Sequence, residues 1–580
     1  MSLKITHKNS TVSGTPPAAG DIDVGEIAIN AADAELYTKD TNGNIRKFQN
    51  TTTGTAGGVQ FTQAGSGAVE RTVESKLQDT VSVKDFGAVG NGVTDDTAAF
   101  NAAISFANAK GGNDRADIKG TTIYIPGGQY RITEPLAPVT VSSVYFEGDS
   151  KGSAVLLCSS PSEIFTFGDS SRTNTVVGGG VKNVKIEYLT TPAPGAIVFK
   201  IDYAFSLNFN GLMLQKCGML FSLGQSATRV AGAISVSDVQ GSVANIGLPL
   251  FDIKYGSGLF VSNCIVFVEG VGVPVHPASM TTVAGSAVFR CTTGFWDTLQ
   301  VDNCLFERWD IGLLVAASAG MTYQIFRFTN TIFDYIRRYC VYLENTSGVV
   351  STVTFDTSCW FTSWETPAIY LAGSTGYHDN HIISGTVVMA EGCGLIYSIT
   401  NASSNTITNL HINGCNRAGA AQSAMLFTSG SKGFTVSNVK GNNDTANYAW
   451  SPLRADYGIT IEVDCDKYLV TGCALEGAVG GYNLPLNTTP SSNRRAFNNI
   501  FTNYSGYIIK PAPPSGVTYT NLSAHVEEWN LFGGTLTTGY DKNGLGFPGA
   551  LANVSFRLQP NDNFTVGYSV APTVRVFVEP

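Results

Sequence analysis

The sequence is poor in charge. Only 14% of its 580 residues are Asp, Glu, Lys or Arg, and the formal net charge is −9. No basic cluster interrupts that balance, so nucleic acid is not an expected partner. The slight acidity also disfavours a strongly polyanionic ligand. No run approaches the ~20 apolar residues that span a bilayer, so membrane insertion is not expected. Residues 1–10, MSLKITHKNS, lack the apolar stretch of a secretory signal. The 11 cysteines are odd in number and form neither a CxxC pair nor a regular framework. They are expected to be small, buried apolar residues of a chain made in a reducing cytoplasm.

Metal and cofactor chemistry is also thin. Among six histidines the one close pair is His378-x-x-His381, with no further ligand nearby, so no cofactor is expected. Gly148-Asp149-Ser150 and Gly168-Asp169-Ser170 resemble the nucleophile block of SGNH esterases. No Asp-x-x-His follows either, and both read as turns. Gly178-Gly179-Gly180 opens no helix and is not a phosphate loop.

What is abundant is glycine, 63 residues, in a setting of short apolar runs and tight turns. From about residue 180 a repeat emerges. An apolar residue, a small polar marker and another apolar run recur at Asn183, Asn210, Asp238, Asn263, Asn303, Asn330, Thr357, Gly385, Asn409, Asn438, Gly472 and Asn499. The spacings are 24 to 29 residues, except 40 before Asn303 and 34 before Gly472, where loop insertions are expected. A coil of this length holds three short strands and three turns, and stacked coils bury a continuous core. Asn suits a recurrent corner because it tolerates left-handed backbone. Cys264, Cys304 and Cys473 each follow a marker and are expected in one inward stack.

The entry to this array is distinctive. Val81–Ile104 reads VSVKDFGAVGNGVTDDTAAFNAAI, and Thr122–Thr133 reads TIYIPGGQYRIT. A short strand over 81–86, a turn at Asn91-Gly92 and a helix over 95–110 are predicted. Thr94 or Asp95 can cap the helix, and Phe100, Ala103, Ile104 and Ala107 make one apolar stripe. Such a helix would cover the exposed edge of the first coil. These two segments closely resemble the opening of the pectate-lyase-like right-handed β-helices of bacteriophage tailspikes. Gly25-Glu26-Ile27-Ala28-Ile29-Asn30 with Asp33, Leu36–Asp40 and Gly43-Asn44 resembles the N-terminal adaptor of phage tail fibres and spikes.

The expected architecture is therefore all-β. Residues 1–50 would be a tail-attachment adaptor, 51–80 a linker and neck, 81–510 a right-handed parallel β-helix with a capping helix, and 511–580 a C-terminal β-domain. The resemblance implies a homotrimeric virion component, made in the host cytoplasm, that binds a bacterial surface polysaccharide and attaches to a phage tail or adaptor protein. It implies trimerisation or carbohydrate binding for the C-terminal domain.

Coil stacking turns sequence offset into proximity, with equivalent positions about 4.8 Å apart. Counting four residues on from each marker gives Glu187, Leu214, Ser242, Phe267, Glu307, Asp334 and Phe361. In the whole column only Glu307 and Asp334 are adjacent acids, the arrangement of a glycosidase pair. Repulsion between them would raise one pKa and divide the roles of acid and base. Trp296, Trp309, Trp360 and Trp364 fall in the same band, with Tyr335, Arg337 and Arg338. Aromatic faces stack on sugars, and arginines bond hydroxyls or acidic groups. Asp310 and Glu365 are the next candidates for catalysis, followed by Asp297, Glu344 and Glu391. Asp310 with Arg337, and Arg338 with Glu365, share offsets and could instead be ion pairs between coils. A polysaccharide lyase using Tyr335 and the arginines, or a receptor-binding fibre without catalysis, are the alternatives to a hydrolase.

Overall fold

The computed structural model describes residues 8–48, 55–110, 120–159, 163–168, 170–171, 175–272, 280–365, 367–388, 393–415, 423–441, 457–475, 480–483, 494–497, 508–510, 513–521, 527–532, 535–542, 545–546, 553–559 and 561–578. They fall into two compact units, 1–81 and 82–580.

In the first unit, strands Lys8–Ser10, Ile27–Asn30, Glu35–Lys39 and Ile45–Phe48 form one sheet over a small core of Ile22, Ala28 and Tyr37. Asn30 ties the motif together. Its amide donates to the carbonyls of Val12 and Thr15 and to Asp33, and its oxygen accepts from the backbone of Ala32 and Asp33. The expected linker is ordered where described. Gln60–Phe61 pairs with Arg71–Thr72, and Thr72 caps the helix Val73–Leu77 by accepting from the Ser75 amide.

In the second unit the predicted entry strand ends at Ser82. Val83–Phe86 is a 3-10 turn closed by a reciprocal Ser82–Asp85 capping box. The helix begins at Thr97 and runs to Lys110, burying Phe100, Ala103, Ile104 and Ala107 as its periodicity demands. Asp95 accepts from the Thr97 amide. The buried Asp96 carboxylate accepts from the amides of Val89 and Gly90, binding the preceding turn to the helix start. Asn101 and Asn108 accept from the amides of Ala137 and Thr140, so the helix also satisfies the loop that crosses it.

The body is a parallel solenoid. One wall is a 12-stranded sheet running from Glu163–Phe167 to Gly480–Asn483, each strand supplied by the next coil. The other walls make a 27-stranded sheet that bends at single left-handed residues. The long strand Phe295–Glu307 turns at Thr298 and Asn303, and its neighbour Thr322–Ile336 at Ile325, Asn330 and Tyr335. Each bend turns the chain to a new wall while the ladder continues. Identical side chains stack along the axis. Phe165, Phe199, Phe221, Phe251 and Phe289 form an inward ladder with ring centroids 5.0–5.5 Å apart. On the outside, Asn303 donates to Asn263, and Asn330 to Asn303, at 2.6 and 2.8 Å.

The markers are mostly these corners. Asn183, Asp238, Asn263, Asn303, Asn330, Gly385, Asn409, Asn438 and Gly472 have positive φ. Three need correction. The corner in the second coil is Gly211, not Asn210, and it stacks against Asn183 because a Cβ there would meet the Asn183 side chain at 2.6 Å. Thr357 is no corner. Gly385 pairs with Leu410 and so stands one place past the Asn409 column. Asn499 lies outside the described residues. All 11 cysteines are free and buried, with Cys264 beneath Cys304.

The C-terminal strands form two four-stranded antiparallel sheets around Trp529, Leu531, Leu558, Phe564, Val566, Val574 and Val576. Ile508–Lys510 pairs with Thr573–Val578, so this domain starts before residue 511.

Candidate active site

Strands Ile265–Val268, Phe295–Glu307, Thr322–Ile336 and Trp360–Ser363 carry the site. Their register sets Phe267, Glu307 and Asp334 side by side in successive coils. The anticipated acid pair therefore shares one outer wall, each member next to a left-handed corner, Arg308 (φ 65°) and Tyr335 (φ 48°). Two positions of the column shift. Gln215 pairs with Glu187, replacing Leu214. The next position beyond Asp334 is Thr362, not Phe361, because Phe333 pairs with Phe361.

The two acids differ in surroundings. Burial pushes the Asp334 carboxyl above its ordinary value, against hydrogen bonds from the Thr362 side chain and the Tyr335 amide and the charge of Arg308. The amide lies 3.0 Å from Oδ1. Thr362 is fully buried, and its Oγ1 accepts from the Trp360 indole at 2.9 Å. An indole N–H only donates, so the Thr362 hydroxyl is left to donate to Asp334. Glu307 has the Arg308 guanidinium 4.0 Å away. That guanidinium also lies over the Phe267 ring, 5.6 Å from its centroid. Burial and the charges of Asp334 and Glu307 raise the Tyr335 phenol, which Arg308 partly offsets.

The other candidates take different places. Asp310 is fully buried. Arg338 grips it in a two-pronged pair at 2.7 and 2.6 Å, Arg337 stands 3.5 Å away, and the Gly285 amide donates at 2.7 Å. Arg337 also binds Glu365 at 3.0 Å and the Thr282 carbonyl at 3.1 Å. The ion-pair reading holds for Asp310 with Arg337, while Arg338 meets Asp310 and it is Arg337 that meets Glu365. This cluster pins residues 282–285, part of the insertion expected before Asn303, beside Glu307. Asp310, Glu365, Arg337 and Arg338 are thus occupied with one another, and of the four only Asp310 is sealed from solvent.

Of the four tryptophans only Trp360 is an exposed platform, at 38%. Trp296, Trp309 and Trp364 are buried, which corrects their expected role as sugar-stacking residues. The Trp296 and Trp309 indoles donate to the carbonyls of Thr298 and Val266, in the manner of core residues. Tyr335 is half-buried beside the pair, its ring 6.1 Å from that of Trp364. Asp297 bonds Thr298, and Glu344 accepts from Tyr342 on the 12-stranded wall, away from the column. Glu391 lies outside the described residues. Sequence reasoning missed Thr362; a count corrected for the extra residue between Phe355 and Trp360 would have found it.

His378 and His381 are both buried and satisfy each other. The Val353 amide donates to His381 Nδ1, the two rings meet at 3.1 Å, and His378 Nε2 faces the Ala372 carbonyl at 2.9 Å. Among the described residues no cluster of three or more metal-ligating side chains occurs.

Residues 80–314 match the family model for rhamnogalacturonase A/epimerase, pectate lyase-like. Mannuronan C5-epimerase AlgE5 of Azotobacter vinelandii is 44% identical over 80 residues, 13% of this chain and 7% of that protein. The LysM effector LysM19 of Penicillium expansum is 28% identical over 258 residues, 41% of this chain and 20% of that protein. The chain thus spans only a small part of these curated relatives. Tailspike protein 3 of bacteriophage CBA120 superposes with a TM-score of 0.52 at 14% identity, covering 86% of this chain and 80% of that one. The chain is therefore similar to pectate-lyase-like proteins over residues 80–314, and its parallel β-helix fold is shared with a phage tailspike.

Proposed function

We propose that this protein is a phage tailspike that binds and depolymerises a bacterial surface polysaccharide, a capsule, by hydrolysing its glycosidic bonds.

 The supporting observation is the in-register pairing of Glu307 with Asp334 on an outer wall, with burial raising the Asp334 carboxyl above its ordinary value. Asp334 in its neutral form is suited to protonate the leaving oxygen, and Glu307 to act as nucleophile or base on the opposite side. Adjacent coils set the backbones about 4.8 Å apart, closer to the separation of about 5–5.5 Å in retaining enzymes than to the wider inverting one. Tyr335 and the exposed Trp360 would contact sugar rings.

Elimination on a uronate, the lyase route, requires a strong base and a free cation. The upward shift makes the Tyr335 phenol harder to ionise and so less available as a base, and two of the three nearby arginines are held in ion pairs with Asp310 and Glu365. Residues 1–50 would attach the spike to a phage tail or adaptor protein, and the working form would be a homotrimer on the virion.

Purified protein incubated with bacterial surface polysaccharides tests the reading. New reducing ends without an ultraviolet-absorbing double bond are expected. Products carrying that absorbance would indicate a lyase, and binding without shortening a receptor-binding fibre.

A further inference from the structure

A trough of about 600 Å³ runs over the coils that precede the acid pair. Gln215, Gln240, Ser242, Ile265, Phe267 and Glu269 are among its lining residues. It is continuous with the pair, because Ser242 is in register with Phe267, and Phe267 with Glu307. Gln215, Ser242, Phe267, Glu307, Asp334 and Thr362 thus form one rail along the solenoid. Beside it runs a second rail of Gln240, Ile265, Leu305, Ile332 and Trp360. Ile265 and Trp360 are 47% and 38% exposed, the large apolar surfaces at either end of the Ile265, Leu305, Ile332 and Trp360 run.

The chemistry of this lining is specific. Two primary amides and a hydroxyl offer donors and acceptors without charge. None of the residues lining the trough is basic, and Glu269, which accepts from Ser242 at 2.9 Å, is acidic. Lys216, which follows Gln215, takes a left-handed corner. Arg308 is covered by Phe267 on one side and Glu307 on the other. A polyanion laid here would meet Glu269, Glu307 and Asp334 with few cations to balance it.

We propose that the trough binds an uncharged glycan, rich in hydroxyl or acetamido groups, laid along the solenoid axis with about one sugar ring per coil. The coil spacing of about 4.8 Å is close to the length that one pyranose adds to a chain. Phe267 and Ile265 support rings ahead of the pair, Gln215 and Gln240 bond their substituents, and Trp360 receives the ring beyond it. More of the binding surface therefore lies on the Gln215 side of the cleaved bond than on the Trp360 side. This inference rests on Glu307 and Asp334 being the reacting pair.

The test uses the full chain and two sets of purified bacterial surface polysaccharides, one neutral and one uronate-bearing, at low and high salt. Wild type is expected to bind and cleave a neutral member, with a KM that salt barely changes. Phe267→Ala and Gln240→Lys are expected to raise KM about tenfold with kcat within about twofold, while retaining the wild-type thermal midpoint. Preference for a uronate-bearing polymer would overturn the inference, as would binding of no neutral polymer. Unchanged KM in both variants, with cleavage lost in Asp334→Asn, would remove the trough and leave the acid pair standing. Cleavage surviving in Asp334→Asn would instead remove the acid pair. In that case, equal binding of the neutral polymer by wild type and Phe267→Ala would remove the trough as well.

Discussion

Two carboxylate groups sit a few residues apart on the same coils and are built for opposite ends. Asp310 is sealed from solvent and bonded to Arg338, Arg337 and a backbone amide. Glu307 and Asp334 face one wall with a single arginine at 4.0 Å from Glu307. In the first group every charge has a partner, and the result is a clasp on the 282–285 segment. In the second, charge is left unbalanced beside an open trough, and burial holds Asp334 above its ordinary pKa. Residue type does not separate the two groups. What separates them is which side of a left-handed corner each occupies: Glu307 and Asp334 precede the corners at Arg308 and Tyr335, and Asp310 follows the one at Arg308.

That contrast can be broken from either side. Asp334→Asn is expected to lower cleavage about 10³-fold without lowering the thermal midpoint. The sign for stability follows from linkage. A carboxyl whose folded pKa is raised contributes stability that is present below its unfolded value and lost as pH rises through the folded one. The ionised form of Asp334 is therefore a cost to the fold, and its amide variant should melt at or slightly above wild type. Asp310→Ala should do the reverse. Leaving Arg337 and Arg338 without their partner costs about 3–5 kcal/mol when a buried pair is broken on one side, read as a lower thermal midpoint. Cleavage measured well below that midpoint should survive. Equal loss of activity in the two variants would abolish the distinction.

The acid pair was legible in the sequence for a definite reason. In a solenoid the coil length is the register, so Glu307 and Asp334, 27 residues apart, had to meet if Asn303 and Asn330 were equivalent corners. The count failed one coil later, where an extra residue between Phe355 and Trp360 moves Thr362 into the column. The tryptophans failed differently. Alternation along a strand assigns sides only until the next left-handed residue, and corners at Thr298, Arg308 and Tyr335 each reset it. Trp296 and Leu299 both point inward although three residues apart, since Thr298 lies between them. The ion cluster was visible as shared offsets, and Asp310 does meet Arg337, but the pairing of Arg338 with Asp310 and of Arg337 with Glu365 depends on side-chain reach that spacing does not encode.

A second buried titrating group sharpens the contrast between closed and open sites. The chain from Val353 through His381 and His378 to Ala372 is complete only when both rings are neutral. An added proton would set an N–H against an N–H at one of these contacts. Burial lowers the His378 pKa to about 4 and that of His381 further below its ordinary value. Folded values below the unfolded one mean full stability above about pH 6.5, lost as pH falls toward 4. The thermal midpoint of wild type should fall over this range. His378→Gln, which removes one of the two groups, should flatten the fall, and an unchanged profile would assign acid sensitivity elsewhere.

The smallest expected effect tests how finely the open site is set. The Trp360 indole donates to Thr362, which obliges the Thr362 hydroxyl to donate to Asp334. That bond favours the ionised carboxylate, and it opposes the burial that holds the proton on. In Thr362→Val the opposition is gone, so the Asp334 pKa should rise and the alkaline limb of the pH–rate profile should move upward. The rate at its optimum should change only a few-fold, because the acid itself is intact. Thr362→Ser keeps the hydroxyl and should restore the wild-type profile, whereas a purely packing role would follow the lost methyl group and leave the profile in place.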